Sequence, residues 1–186
     1  MHRPAISPLS SHQTVLAVGD SLTNGYGAPA GESYPEYLQK MTSLRIVKSG
    51  VNGELSSEGL QRLPHLLQTY RPKLTLLCYG GNDILQKKPV QQLKENLKKM
   101  IALCHAKGSD VLLIAVPNVT LFGLAPMGVY EEVAKETQTP LLSGTLSTIL
   151  EDPSMKSDQI HPNAKGYKAL AQDIYEAMRR NGWLTP

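Results

Sequence analysis

Four short polar stretches of this chain hold residue types that could do chemistry together. They are "GDSLTNG" from position 19, "NG" at 52, "GGND" at 80 and "DQIH" at 158. Ser21 carries a hydroxyl that is a weak nucleophile unless a base takes its proton. His161 is a candidate base. Asp158, three residues before it, is near enough in the chain to accept a hydrogen bond from the imidazole, fix its tautomer and stabilise it when charged. An acyl-transfer site also needs donors for the oxyanion. The backbone N–H groups of Ser21 and Gly53 and the side-chain amide of Asn82 suit that role, each such donor commonly stabilising the transition state by ~3 kcal/mol. A missing Cβ at Gly53 would let a substrate oxygen approach the backbone.

Each residue also has a plainer reading. Ser21 could cap a helix, and Asp20 could hold its loop by local hydrogen bonds. "NG" and "GGND" are ordinary turn signals. Asp158 and His161 could be loop residues or two metal ligands, although no further His, Cys or carboxylate set has ligand spacing. His2, His12, His65 and His105 lie in the leader or on expected helices and take structural or solvent roles. Lys94, Lys98 and Lys99 read as a solvated helix face.

The elements that must position these residues alternate. Apolar runs at 14–18, 44–50, 73–79 and 110–116 read as strands, with "PLLS" as a short fifth. Between them "ESYPEYLQKM" reads as a helix with Ser33 and Glu36 in capping-box spacing and Pro35 in its first turn. "LQRLPHLLQTY" puts Leu60, Leu63 and Leu67 on one stripe. Pro64 inside it predicts a kink or a later start. Residues 90–107 form the clearest helix, with Val90, Leu93, Leu97, Met100, Ile101 and Cys104 on one face. "NVTLFGLAPMG" reads as a loop with apolar tips, "VYEEVAKET" as a short helix, and "NAKGYKALAQDIYEAMRRNG" as the last helix, capped by Asn163. This alternation predicts an α/β protein whose parallel sheet is covered by helices on both faces. Ligands then bind beyond the carboxyl ends of the strands. All four polar stretches follow strands, so they should share one rim.

Composition agrees with a single domain. The chain has 186 residues, 41% hydrophobic and 19% charged, and a formal charge of +3 with no long basic run, which argues against nucleic acid as a partner. Residues 1–13 read as a flexible leader and 14–186 as one domain. The two cysteines, Cys78 and Cys104, read as free core thiols. No stretch is long and apolar enough to span a bilayer, and "MHRPAISPLSSHQ" lacks an apolar signal region. As it stands the sequence reads as cytoplasmic, or as periplasmic or secreted if a signal segment was removed.

The blocks "GDSLTNGYG", "NGELSSEGL", "GGND" and "DQIHPN" occur in order and resemble those of the SGNH, or GDSL, hydrolases. The four letters of the name fall on Ser21, Gly53, Asn82 and His161. The likeness runs from about Thr14 to about Arg180 and is strongest to the bacterial thioesterase, lysophospholipase and arylesterase branch, which shares the look of "GLQRLPHLL". The resemblance implies a flavodoxin-like three-layer α/β/α sandwich with a five-stranded parallel sheet. It also implies a Ser21–His161–Asp158 triad, oxyanion donors at Ser21, Gly53 and Asn82, and no metal or organic cofactor. The motif is not the G-x-S-x-G elbow, since Thr23 stands where its second glycine would be.

Two departures stand out: the signal segment common in that branch is absent, and "NVTLFGLAP" is shorter than the corresponding loop. Ile84, Leu121, Phe122 and Leu124 are the candidates for an apolar acyl wall. The expected function is a serine esterase on small to medium acyl esters, with thioesters or lysophospholipids as variants. The rivals are a carbohydrate O-deacetylase with the same triad and a non-catalytic flavodoxin-like binding module.

Overall fold

Runs of apolar residues with no polar face demand cover on both sides, and the central strands receive it. In the computed structural model of the chain, residues 7–120 and 123–185 are described, the side chains of 119–126 excepted. Five parallel strands form one sheet in the order β2-β1-β3-β4-β7. They are β1 (Thr14–Gly19), β2 (Arg45–Gly50), β3 (Leu74–Cys78), β4 (Asp110–Ile114) and β7 (Leu141–Leu142). β1 and β3 are buried throughout. The edge strand β2 is half exposed and carries Arg45 and Lys48, charges that discourage pairing with another edge.

The helices are α1 (Ser21–Asn24), α2 (Tyr34–Thr42), α3 (Ser56–Tyr70), α4 (Gly81–Leu85), α5 (Val90–Ala106), α6 (Gly128–Thr137), α7 (Thr145–Glu151) and α8 (Ala164–Arg180). α2 packs with α8, and α3, α5 and α6 pack in series, giving the two outer layers. The three-layer sandwich with its five-stranded parallel sheet matches the expected class. Fully burying one core Leu or Val such as Leu76 or Val111 contributes roughly 1.5–3 kcal/mol.

Local chemistry explains the ends and the exceptions. Ser33 and Glu36 form the expected capping box, Glu36 accepting from the Ser33 N–H at 2.9 Å. Asn163 caps α8 by accepting from the Gly166 N–H at 3.1 Å. Pro64 neither starts nor ends α3, which begins at Ser56, earlier than the apolar stripe suggests. The cost there is one missing N–H toward the Leu60 carbonyl. Leu63 and Leu67 on that helix are buried.

On α5, Val90 departs from the expected stripe and is exposed, while Leu93, Leu97, Met100, Ile101 and Cys104 are buried. Lys94 and Lys98 are not simply solvated: Lys94 pairs with Glu132 (2.8 Å) and Glu136 (2.7 Å) on α6, and Lys98 with Glu136 (2.9 Å). The expected loop after β4 is an antiparallel hairpin, β5 (Pro117–Thr120) with β6 (Gly123–Pro126). α7 lies between the short fifth strand and the last helix, where no element was expected, and Leu146, Ile149 and Leu150 bury one face of it. Both cysteines are buried free thiols.

In the leader, residues 1–6 lie outside the described residues. Leu9 donates its N–H to the Trp183 carbonyl at 2.8 Å and packs on the core.

Candidate active site

The strand order reverses direction at β1: its neighbours are β2 on one side and β3 on the other. Crevices open at such switch points beyond the carboxyl ends. Gly19 at the end of β1 is level with Gly50 of β2 and Cys78 of β3, so the segments that follow all three strands emerge at one rim.

Ser21 is the first residue of α1. Asp20, its N-cap, accepts the Leu22 N–H at 3.0 Å, so the helix is capped by the aspartate and the serine side chain is released for other work. Ser21 Oγ lies 3.0 Å from His161 Nε2. On the other side of the imidazole, Nδ1 lies 2.8 Å from Asp158 Oδ2 and 3.1 Å from Oδ1. Asp158 Oδ1 also accepts the backbone N–H groups of Ile160 and His161, each at 2.8 Å. Partial burial disfavours the charge of Asp158. The Ile160 N–H and the His161 side chain outweigh it and hold the carboxyl below its usual range. An ionised Asp158 has no proton to give, so Nδ1 carries the hydrogen and Nε2 faces the serine hydroxyl as acceptor.

Of the expected oxyanion donors, Ser21 and Asn82 line the same crevice, whereas Gly53 is exposed and is not among its lining residues. The Ser21 N–H belongs to the first turn of a helix and has no intrahelical partner. Gly53 adopts φ +78°, a conformation that favours glycine, in the turn after β2. Asn82, on α4, donates Nδ2 to the Glu54 carbonyl at 3.1 Å. Its 3.4 Å approach to Asp20 Oδ2 is too long to bind strongly. One amide hydrogen is therefore anchored and the other only weakly engaged.

Beneath this surface lie two polar networks that sequence reading missed. Glu54, 7% exposed, receives Arg62 Nε on Oε1 and Arg62 Nη2 on Oε2, both at 2.7 Å, and the Tyr79 hydroxyl at 2.6 Å. Arg62 also donates to the Ser49 carbonyl at 2.8 Å and to the Gly19 carbonyl at 3.3 Å, tying together the ends of β2 and β1. Asp83, grouped with Asn82 by position, turns inward. It accepts the Ser56 N–H at 2.9 Å and hydroxyl at 2.6 Å, and Asn96 donates to that hydroxyl at 2.9 Å. The one available signal was Asn96, a polar residue on the apolar face of α5.

Asp20 is 1% exposed, and its carboxyl is pushed up to about 7 by burial, helped by the nearby Asp83 and Glu54 charges and opposed by the Leu22 N–H. Unfolded, it releases its proton near 3.8, so between 3.8 and about 7 the folded chain holds the extra proton. Its contribution to stability therefore falls as pH rises through that window. Asp20→Asn keeps an oxygen for the Leu22 cap and removes the titration. Its melting temperature relative to wild type is expected to climb from pH 4 to pH 8. A difference that stays flat across that range would contradict the assignment.

A cavity of about 270 Å³ opens beside Ser21, Asn82 and His161. Ile84 lines it, and Leu22, Leu85, Val116, Pro117, Leu150 and Ile160 supply the rest of its apolar wall. Of the other wall candidates, Leu121 and Phe122 lie outside the described residues, as does the side chain of Leu124. Among the described residues no group of three or more His, Cys, Asp or Glu side chains is gathered as a metal site would be, and no helix is long and apolar enough to cross a membrane. His12, His65 and His105 are exposed and do not line the cavity, and His2 lies outside the described residues.

Known proteins resemble this chain in sequence and in fold. Residues 17–169 match the GDSL-like lipase/acylhydrolase family. The chain is 33% identical over 167 residues to "Thioesterase 1/protease 1/lysophospholipase L1" of Escherichia coli strain K12, covering 85% of this chain and 79% of that protein. It is 30% identical over 177 residues to "Esterase TesA" of Pseudomonas aeruginosa, covering 90% and 88%. The crystal structure of TesA superimposes with a TM-score of 0.84 at 30% identity, covering 91% of this chain and 99% of that one.

Proposed function

The chain belongs to the GDSL-like lipase/acylhydrolase family and is a serine ester hydrolase, and we propose that it cleaves small to medium acyl esters through an acyl-enzyme on Ser21. The observation that carries this reading is the relay of Ser21 Oγ, His161 and Asp158, spaced 3.0 and 2.8 Å, at the mouth of an apolar cavity.

In the first half-reaction Ser21 Oγ bonds to the acyl carbon while its proton passes to His161 Nε2. The carbonyl π pair moves onto oxygen, where the N–H groups of Ser21 and Gly53 and the Asn82 amide receive it. Asp158 holds the resulting imidazolium. The tetrahedral carbon then expels the alcohol or thiol, which takes the proton back from Nε2. In the second half-reaction a water gives its proton to Nε2 and attacks the acyl carbon. Oγ leaves with that proton, and the carboxylic acid is released. Every proton is returned, so no cofactor enters the balance.

At about 270 Å³ the cavity lies at the small end of ligand pockets, which supports a short or medium acyl chain. Rates on p-nitrophenyl esters from acetyl to palmitoyl are expected to peak at short to medium lengths. A rate that rises steadily to palmitoyl would rule out the pocket assignment, and a sharp preference for acetyl on a sugar would favour the deacetylase reading instead.

A further inference from the structure

Tyr26 belongs to the "GDSLTNGYG" stretch, yet the mechanism above gives it no task. Its side chain leaves the core and is 52% exposed. Its ring centroid lies 4.6 Å from that of His161, with the planes at 49°. That separation is within the range of favourable aromatic pairs and of a cation held over a ring.

The backbone around it is fixed from both sides. The N–H groups of Gly25 and Tyr26 both donate to the Ser21 carbonyl at 3.0 Å, so the loop hangs from the nucleophile's own residue. The Tyr26 carbonyl accepts the hydroxyl of buried Tyr167 on α8 at 2.7 Å. Gly27 has φ +92°, and a Cβ there would run into the Ser157 hydroxyl and the Pro162 carbonyl. The loop therefore lies flat against the segment that carries Asp158 and His161. Tyr26 is not among the residues that line the cavity.

We propose that Tyr26 is a positioning residue for the catalytic base, covering one face of the His161 imidazole and stabilising it while it carries the serine's proton. The proposal rests on the reading of His161 as the base. The need for it is physical. Asp158 is the charged partner of that base, but its side chain is 45% exposed, so water screens its hold. A ring on the open face limits rotation of the imidazole. Its negative π cloud attracts the imidazole more strongly once that is charged, which is when the transition state forms.

The test compares Tyr26→Ala, Tyr26→Leu and Tyr26→Phe with wild type and Ser21→Ala. It measures kcat and KM on p-nitrophenyl butyrate, the rate of inactivation by an alkyl p-nitrophenyl phosphonate, and the imidazole proton resonances of His161. The half-exposed ring can be removed without opening a core cavity, so melting temperatures should stay close to wild type. Ala and Leu are expected to lose about two- to five-fold in kcat and in inactivation rate, the loss a cation–π contact at an exposed site corresponds to. KM should be unchanged, and the His161 resonances should move. Phe should restore all three readouts.

Wild-type kcat in Tyr26→Ala, with Ser21→Ala inactive, overturns the role of Tyr26 alone. Leu behaving like Phe overturns the contribution of the π face. A rise in KM without loss of kcat makes the ring a substrate contact and overturns the proposal. Activity surviving in Ser21→Ala removes the triad itself.

Discussion

Ser21→Ala is expected to lower kcat/KM on p-nitrophenyl butyrate by about 10⁴–10⁶-fold, since triad members act as a unit and the residual rate comes from binding and oxyanion donors alone. The nearest hydroxyl in the base's own loop, Ser157, is turned to the His161 carbonyl at 3.2 Å rather than to its ring. The helix cap at this position is Asp20, so removing the serine oxygen leaves α1 intact. The variant should melt with wild type, which separates lost chemistry from lost fold. Labelling supplies an independent check: an alkyl phosphonate should add once to wild type, on the peptide containing Ser21, and not to the variant. Retention of more than a few per cent of activity would rule Ser21 out as the nucleophile.

The companion change Asp158→Asn should cost less than total loss but still on the order of 10⁴-fold, because an amide no longer selects the Nδ1–H tautomer.

The rim of the molecule was legible in the sequence because one rule controls it. Parallel strands end on one side, so residues that follow strands meet there whatever lies between them. That brings Ser21 and His161, 140 residues apart, within 3.0 Å, with Asn82 on the same cavity. The rule says nothing about what lies beneath. Glu54 and Arg62 look like any exposed pair on a charged helix start, and only the fold reveals that Tyr79, at the end of an apolar run, meets them both.

Asp83 shows the same limit, since its position after β3 is that of a rim residue and its direction is inward. Proline at 64 does not delay the start of α3, because packing of buried Leu63 and Leu67 outweighs one missing hydrogen bond. Of the four wall candidates, Ile84 is the one whose side chain is described, and it lines the cavity. The wall's other members, among them Val116 and Leu150, come from a strand end and from α7, and no spacing in the sequence links them.

Arg62→Ala is expected to be the most destabilising single change near the site. The guanidinium satisfies both oxygens of Glu54 and two strand-end carbonyls. Removing it leaves a carboxylate that is 7% exposed with only Tyr79 as a side-chain partner. Breaking a buried pair from one side typically costs about 3–5 kcal/mol. The Arg62 side chain is itself 24% exposed, and water reaching it places the expectation toward the lower end of that range.

For a domain of this size the loss corresponds to a drop in melting temperature of roughly 6–12 °C. Arg62→Lys keeps a charge but not the fork, and should fall between the two. The decisive comparison is Arg62→Met with Glu54→Gln, which removes both charges together. Most of the loss should return, because the cost lies in the unpaired carboxylate rather than in the missing attraction.

Activity should not return with it. The Glu54 carbonyl anchors the Asn82 amide, and Gly53 directly precedes Glu54, so loosening this network disturbs two of the proposed oxyanion donors at once. The double variant is therefore expected to melt near wild type yet turn over p-nitrophenyl butyrate more slowly, with kcat lowered and KM little changed. If Arg62→Ala melts within 2 °C of wild type, Glu54 has found water or a proton in place of the guanidinium, and the network is not what holds the floor of the site.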